Sequence, residues 1–175
     1  MNSHSIRIRK ARGKDSKILA KLGAKTFFET YSDKVKKENL KLYIKQAFNK
    51  EKISEELKDK KSIFLIAFKN RKAIGYAKLN KDKKPAKLKN FKSIEIERMY
   101  VLKKMIGQKI GKSFMKKCLQ IAKNGNYQVI WIGIWEHNKP AISLAKRVGF
   151  KIFGSQVFTL ANENHKDLLM RKRIQ

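Results

Sequence analysis

Several residue types that define whole classes of protein are scarce in this chain. The sequence has one cysteine, Cys118, and three scattered histidines. A lone cysteine excludes an internal disulfide framework and is typical of reducing compartments, so we expect a cytoplasmic protein. The same scarcity gives no ligand spacing that suits a metal, and we expect no metal site. No apolar run approaches the ~20 residues of a membrane helix, so we expect no membrane partner.

Acidic residues are also few, and their scarcity makes the chain strongly basic. The 14 Asp and Glu residues face 44 Lys and Arg residues, which gives a net charge of +30. Such a field attracts polyanions, including nucleic acid and phosphate-rich cofactors. The lysines are spread along the whole chain, which favours a solvated basic surface over a dedicated nucleic-acid face. With 175 residues, 42% of them apolar, we predict a single domain over 1–175.

Hydrophobic periodicity predicts an alternating order of strands and helices. The β–α–β units in the middle need crossover connections, so their strands should be parallel, while hairpins at both ends should be antiparallel. The fold class is therefore α/β (α+β), a mixed sheet of about seven strands with helices on both faces. Strands are predicted at 6–9, 62–68, 73–79, 94–101, 129–135, 153–160 and 166–173, and helices at 15–28, 37–48, 53–57, 113–124 and from 136–140 to 149.

The strand at 94–101 carries two carboxylates. Alternation along a strand places Glu95 and Glu97 on one face with Met99, and Arg98 and Tyr100 on the other. One interpretation is that the carboxylates pair with lysines of neighbouring strands. The other is that one of them lines a cleft and acts as a general base, directly or through water. A like-charged neighbour raises a carboxyl pKa, which would suit that role.

The turn after this strand has the features of a phosphate site. It contains Gly107 and Gly111 together with three lysines, and it leads into a helix. Free backbone N–H groups at a helix N-terminus bind anions, although a plain helix start would look the same. The turn is not a Walker loop, because Ile106 stands where the first glycine would be.

Two further residues have alternative interpretations. Asn138 precedes Pro140 at the start of the last helix, so it can cap that helix, hydrogen-bond an amide of an extended ligand, or do both. Cys118 lies in the apolar stripe of the helix at 113–124, which predicts a buried, inert thiol rather than a nucleophile.

Taken together, these segments resemble the GCN5-related N-acetyltransferases (GNAT), and the PaiA-type polyamine N-acetyltransferases in particular. The resemblance covers nearly the whole chain and implies the GNAT fold. It also implies acetyl-CoA as donor and, as acceptor, a primary amine such as spermidine or spermine, with direct transfer in a ternary complex. The segments that carry it are Trp131–Ala141, Ile94–Val101, Asp167–Met170, Thr26–Tyr31 and Ala47–Asn49.

The resemblance assigns expected roles to individual residues. Glu97 or Glu95 would be the base, and Tyr100 or Tyr31 could supply a proton in catalysis. Glu29, Tyr31 and Asp33 would help to hold the cationic substrate. The pantetheine would lie beside Met99, Tyr100 and Val101 and bind Asn138, with Lys146 or Arg147 near the adenosine. The pyrophosphate would bind the N–H groups of Ile106, Gly107, Gln108, Lys109, Ile110, Gly111 and Lys112.

The chain departs from the family pattern at two places. Ile106 and Lys109 stand where the turn usually has Gln or Arg and its first glycine. Ala145 stands where the family often has the tyrosine that protonates the leaving thiolate. Ala145 leaves open a catalytically weak acyl-CoA-binding protein, and the net charge of +30 leaves open a DNA-binding regulatory protein. Nucleic acid is thus a second, less favoured partner, and a homodimer is compatible with the sequence.

Overall fold

A single mixed sheet organises the chain in the computed structural model, which describes residues 6–174. Its strand order is β1-β2-β3-β4-β5-β7-β6, and β4 and β5 are the parallel pair of this sheet while its other neighbours are antiparallel. The predicted α/β class and the seven-stranded mixed sheet are confirmed. The strands are β1 (Arg7–Lys10), β2 (Ser62–Lys69), β3 (Lys72–Asn80), β4 (Ser93–Val101), β5 (Val129–Trp135), β6 (Lys151–Leu160) and β7 (Glu163–Arg173).

Helices cover the sheet on both faces. On β3, Gly75 approaches the side chain of Phe114, whereas the next residue, Tyr76, packs against the ring of Tyr100 on the opposite face. Phe114 and Cys118 are fully buried, and burial raises the pKa of the Cys118 thiol to about 12, as expected for an inert core residue. The helices are α1 (Ser16–Tyr31), α2 (Lys37–Ala47), α3 (Lys50–Lys58), α4 (Ile110–Asn124) and α5 (Lys139–Arg147).

Two helices begin three residues earlier than predicted, and in each case a capping residue is the reason. The side chain of Asn49 accepts a hydrogen bond from Lys52 N at 2.8 Å, so α3 begins at Lys50 rather than 53. Lys109 takes a left-handed conformation with φ of 61° and turns the chain into α4 at Ile110 rather than 113. None of the helices within 6–174 has both the length and the apolar character of a membrane span.

A β-bulge in β4 changes which side chains share a face. Lys78 of β3 pairs with Arg98, but the next residue of β3 pairs with Ile96, which leaves Glu97 as an extra residue in β4. The alternation of side chains therefore shifts by one position at Glu97. The predicted separation of Arg98 and Tyr100 from the two carboxylates is wrong, because Glu95, Glu97, Arg98 and Tyr100 all line one cavity.

The bulge coincides with a separation of the two parallel strands. The ladder between β4 and β5 joins Ser93–Ile96 to Val129–Ile132. Beyond it, β4 continues along β3 to Val101, and β5 continues along β7 to Trp135. The two strands diverge there, so a wedge opens between their carboxyl ends.

Candidate active site

The wedge leads into a cavity of about 190 Å³. Gly133 of β5 lies at its wall, and a Cβ at this position would stand 3.0 Å from Gln156 Nε2 and 3.3 Å from Asp167 Oδ2. Glycine at 133 therefore leaves room for two polar groups that reach in from β6 and β7. The lining residues are Phe27, Tyr31, Tyr43, Phe48, Lys83, Glu95, Glu97, Arg98, Tyr100, Gly133, Trp135, Gln156, Phe158 and Asp167.

Glu97 is part of a buried charge network that we define as Glu56, Lys78, Glu97 and Arg98. Lys78 Nζ donates to Glu97 Oε1 at 2.8 Å and lies 3.3 Å from Glu56 Oε2. Arg98 donates two hydrogen bonds to Glu56, at 2.8 and 3.1 Å. Burial raises the pKa of Glu97, but Lys78 and a hydrogen bond from Asn80 outweigh this effect and hold it below its usual value. Glu97 is therefore a paired anion at neutral pH, in line with the first of the two interpretations.

Glu95 has a very different environment from Glu97. Its side chain is buried, with Oε1 3.4 Å from Lys83 Nζ, and Oε2 has no hydrogen-bond partner within residues 6–174. Burial raises its pKa, the Lys83 ammonium only partly opposes this, and the value reaches about 7. A carboxyl group with such a pKa and an unpaired oxygen can take up and release a proton near neutrality.

Asp167 is a third carboxylate in the cavity, and the sequence analysis did not assign it a role. It lies opposite Trp135 in the β5–β7 register, and burial raises its pKa while a hydrogen bond with Gln156 lowers it. The signal in the sequence was its position at the start of the Asp167–Met170 segment, but nothing there indicated that β7 would insert beside β5.

Aromatic rings form much of the remaining wall. Phe27 stacks on Tyr43 with ring centroids 4.8 Å apart, and Tyr31 packs against Trp135 at 5.0 Å. Burial raises the pKa of Tyr100 to about 12 and also raises that of Tyr31, so both hydroxyls stay protonated and can donate hydrogen bonds at neutral pH. Ring faces of this kind attract cations and accept alkyl chains.

Two residues expected to bind the substrate lie elsewhere. Glu29 Oε2 accepts a hydrogen bond from Lys103 N at 2.7 Å and so ties α1 to the segment after β4. Asp33 is exposed beyond the end of α1. Neither lines the cavity, whereas Tyr31 does. Lys83, Gln156 and Phe158 line it instead, and no local pattern distinguished them.

The turn between β4 and α4 presents several free donors. Gly107 has φ of 89° and Lys109 has φ of 61°, both in the left-handed region. The N–H groups of Ile106 and Gln108 donate to carbonyls within the turn. Within residues 6–174, no backbone hydrogen bond uses the N–H groups of Gly107, Lys109, Ile110, Gly111 and Lys112.

Helix α5 packs against the start of α4 through Leu144. A Cβ on Gly111 would stand 2.9 Å from Leu144 Cδ2, so the two helices pack closely. Asn138 caps α5, since its side chain accepts a hydrogen bond from Ala141 N at 3.3 Å. Lys146 and Arg147 are exposed in the last turn of α5, and Ala145 is fully buried. No cluster of His, Cys, Asp and Glu that could hold a metal occurs in the described part of the chain.

We expect Glu95→Gln to raise the free energy of unfolding by up to about 3 kcal/mol near pH 8. The folded-state pKa of about 7 exceeds the ordinary value of 4.5. The contribution of this carboxyl to stability is therefore complete below pH 4.5 and is lost as the pH rises through 7. Urea unfolding at both ends of this range measures the difference, which should vanish at the acidic end.

Glu97→Gln is the matched control for this experiment. It removes the nearer of the two carboxylates that pair with Lys78, so it should lower stability near pH 8. Equal or lower stability of Glu95→Gln under the same conditions would contradict the buried, unpaired environment of Glu95.

Comparison with known proteins agrees with this geometry. The model of the acetyltransferase (GNAT) family matches residues 21–150. An uncharacterized N-acetyltransferase from the pepI 3′ region of Lactobacillus delbrueckii subsp. lactis is 24% identical over 169 residues, which are 97% of this chain and 98% of the relative.

Two solved structures share the fold. The PaiA N-acetyltransferase of Thermoplasma acidophilum, in complex with coenzyme A, has a TM-score of 0.78 at 23% identity, covering 97% of this chain and 99% of that chain. The yncA structure from Salmonella typhimurium, with its cofactor acetyl-CoA, has a TM-score of 0.68 at 16% identity, covering 98% and 95%. Because the family model spans most of the sequence, this chain belongs to the acetyltransferase (GNAT) family and is an acetyl-CoA-dependent N-acetyltransferase.

Proposed function

We propose that this enzyme acetylates a primary amine, in particular a polyamine, with Glu95 as the general base. The observation that carries the proposal is the buried Oε2 of Glu95, which has no hydrogen-bond partner among the described residues. Glu95 lines a cavity that opens at the wedge between β4 and β5. Glu97 is the weaker candidate, because Lys78 and Asn80 occupy both of its oxygens.

The residues around the wedge fit acetyl-CoA. The diverging edges of β4 and β5 leave the backbone of Met99, Tyr100 and Val101 beside an opening rather than a strand, as a pantetheine arm requires. Among the described residues, the N–H groups of Gly107 and of 109–112 have no backbone acceptor, and they suit a pyrophosphate. Asn138 would contact the pantetheine through the amide NH₂ that its capping role does not use, and Lys146 or Arg147 would meet the adenosine end.

The chain's own residues then divide the chemistry. Acetyl-CoA, when bound, supplies an activated acetyl group as a thioester. Glu95 accepts the proton that an incoming ammonium must lose before its nitrogen becomes nucleophilic. A backbone N–H near Tyr100 or Val101 polarises the carbonyl that is attacked. The hydroxyls of Tyr100 and Tyr31 are the proton donors at hand, because Ala145 has none.

A polyamine suits the charges and the shape of the cavity. Glu95 and Asp167 attract ammonium groups, and the aromatic walls accept the alkyl segments between them. A second groove of about 570 Å³ shares Trp135 and Gln156 with the cavity and offers Glu136 for a distal ammonium. The net charge of +30 opposes polycations at long range, but salt screens this repulsion beyond ~8–10 Å.

An acceptor series with acetyl-CoA, followed by thiol release, tests the polyamine proposal. We expect the KM for spermidine to be about tenfold below that for a monoamine of similar length, because a further ammonium group of spermidine would pair with the carboxylate of Glu136. Glu136→Gln should remove much of this preference, whereas Glu38→Gln on the exposed side of α2 should not. Equal KM values for spermidine and the monoamine would contradict the polyamine assignment. Binding of coenzyme A without acetylation of any amine would contradict the proposed amine acetyltransferase activity.

The pH dependence tests the base. We expect kcat/KM to rise with pH along an acid limb near pH 7, the pKa of Glu95. Glu95→Gln should abolish this limb and slow the reaction by about 10²–10⁴-fold. Glu97→Gln should keep the limb. A limb that survives in Glu95→Gln would assign the base to another group.

The turn is tested by comparing Lys109→Gly with Lys109→Ala. Both remove one charge, but only glycine relieves the left-handed conformation, so Lys109→Gly should be more stable by about 1 kcal/mol in urea unfolding. Coenzyme A affinity, measured by calorimetry, should fall by less than about fivefold in both, because backbone groups rather than the Lys109 side chain hold the pyrophosphate. Equal stability of the two variants, or a larger loss of coenzyme A affinity in either of them, would contradict this account.

A further inference from the structure

Lys83 places an amine at the mouth of the candidate active site. It belongs to the segment 81–92 between β3 and β4, and its Nζ lies 3.4 Å from Oε1 of Glu95. The same ammonium lies 5.9 Å from the centre of the Trp131 ring and lowers the pKa of Asp167. The side chain of Lys83 is 54% exposed, so it lies at the mouth of the cavity rather than in its depth.

The backbone that carries Lys83 is held on both sides. The side-chain oxygen of Asn80 accepts hydrogen bonds from Asp82 N at 2.9 Å and from Lys83 N at 3.3 Å. The amide of the same Asn80 donates to Glu97 at 3.0 Å, which links the segment to the buried charge network. Further along, Lys87 Nζ donates to the carbonyl of Phe153 at 3.0 Å. The turn that Asn80 stabilises therefore holds the backbone of Lys83 where its side chain reaches Glu95.

The other lysines of this segment point to different partners. Lys81 donates to the carbonyl of Lys60, and Lys92 donates to that of Gly125. Among the lysines of 81–92, Lys83 is the one that lines the cavity. Its neighbour Lys84 is equally part of the exposed loop but does not line the cavity, and it provides a matched control.

We propose that Lys83 is an acceptor of this enzyme's own reaction and becomes acetylated on Nζ. The inference rests on the proposed function, because it uses Glu95 as the base and acetyl-CoA as the donor. Lys83 Nζ gives up a proton to Glu95, a bond forms between this nitrogen and the acetyl carbon, and the carbon–sulfur bond of the thioester breaks. The nitrogen gives up a second proton after the attack, and the departing sulfur takes it. The Lys83 ammonium, the Glu95 carboxylate and the thioester thus become an acetylated lysine, a neutral Glu95 and a free thiol, with no further reactant.

Acetylation of Lys83 would change the site for other substrates. The modified side chain is neutral, so it no longer pairs with Glu95 or acts on Asp167. Both carboxylates then face the incoming amine without a competing ammonium. Lys83→Gln imitates this state, and we expect it to lower the KM for a cationic amine by about tenfold relative to Lys83→Arg.

The modification is tested on the full chain incubated with acetyl-CoA and no amine. Peptide mass spectrometry over time should show Lys83 acetylated about a hundredfold faster than Lys84, because only Lys83 has a positioned base. The rate per chain should not depend on protein concentration, since the reaction is intramolecular. Glu95→Gln should slow the acetylation of Lys83 by a similar factor and leave the slow acetylation of other lysines unchanged. Lys84→Arg should not change the rate of Lys83 acetylation.

Three results would overturn the inference: acetylation of Lys83 no faster than that of Lys84, a rate of Lys83 acetylation that Glu95→Gln does not change, or a rate per chain that increases with protein concentration. If a free amine is acetylated while Lys83 is not, the inference fails and the proposed function stands. If coenzyme A binds but neither a free amine nor Lys83 is acetylated, the proposed function fails with it.

Discussion

One extra residue in β4 is the constraint on which the site depends. The bulge at Glu97 shifts the alternation of the strand, brings Tyr100 to the same side as Glu95, and stands where β4 leaves β5. A bulge interrupts the ladder and needs support. The support is the buried charge network, in which Arg98 and Lys78 bind Glu56 on α3 and Glu97 on the bulge itself. Such a network is costly to desolvate and adds little net stability, so its contribution is to specify one geometry.

Two carboxylates of the same strand acquire opposite properties from their surroundings. Glu97 faces Lys78 and Asn80 and remains ionised, whereas Glu95 is buried with one oxygen unpaired and titrates near neutrality. The protonation behaviour of these two glutamates is therefore set by their surroundings rather than by their residue type. The cavity combines the carboxyl groups of Glu95, Glu97 and Asp167 with the cations of Lys83 and Arg98. Salt screens the effect of lysines that lie more than ~8–10 Å from it.

The structure shows the surroundings of the two departures from the family pattern. Lys109 takes up the left-handed conformation that glycine would adopt more easily, and the adjacent N–H groups remain unpaired. In the proposed function the pyrophosphate binds these N–H groups rather than side chains, so Lys109 is compatible with that proposal. Ala145 is buried in the core and contributes no proton. The protonated hydroxyls of Tyr31 and Tyr100 line the cavity from a different helix and strand.

The sequence by itself determined the order of strands and helices, the apolar stripe around Cys118, the turn at Gly107 and the carboxylates of β4, because these depend on local periodicity and composition. The sequence analysis placed the starts of α3 and α4 three residues too late, because single capping residues determine where these helices begin. Only the tertiary structure decided that β7 lies beside β5 and delivers Asp167, that Glu29 binds Lys103, and that Glu97 bulges. These outcomes depend on contacts between residues distant in sequence, and burial, which sets the difference between Glu95 and Glu97, exists only once those contacts have formed.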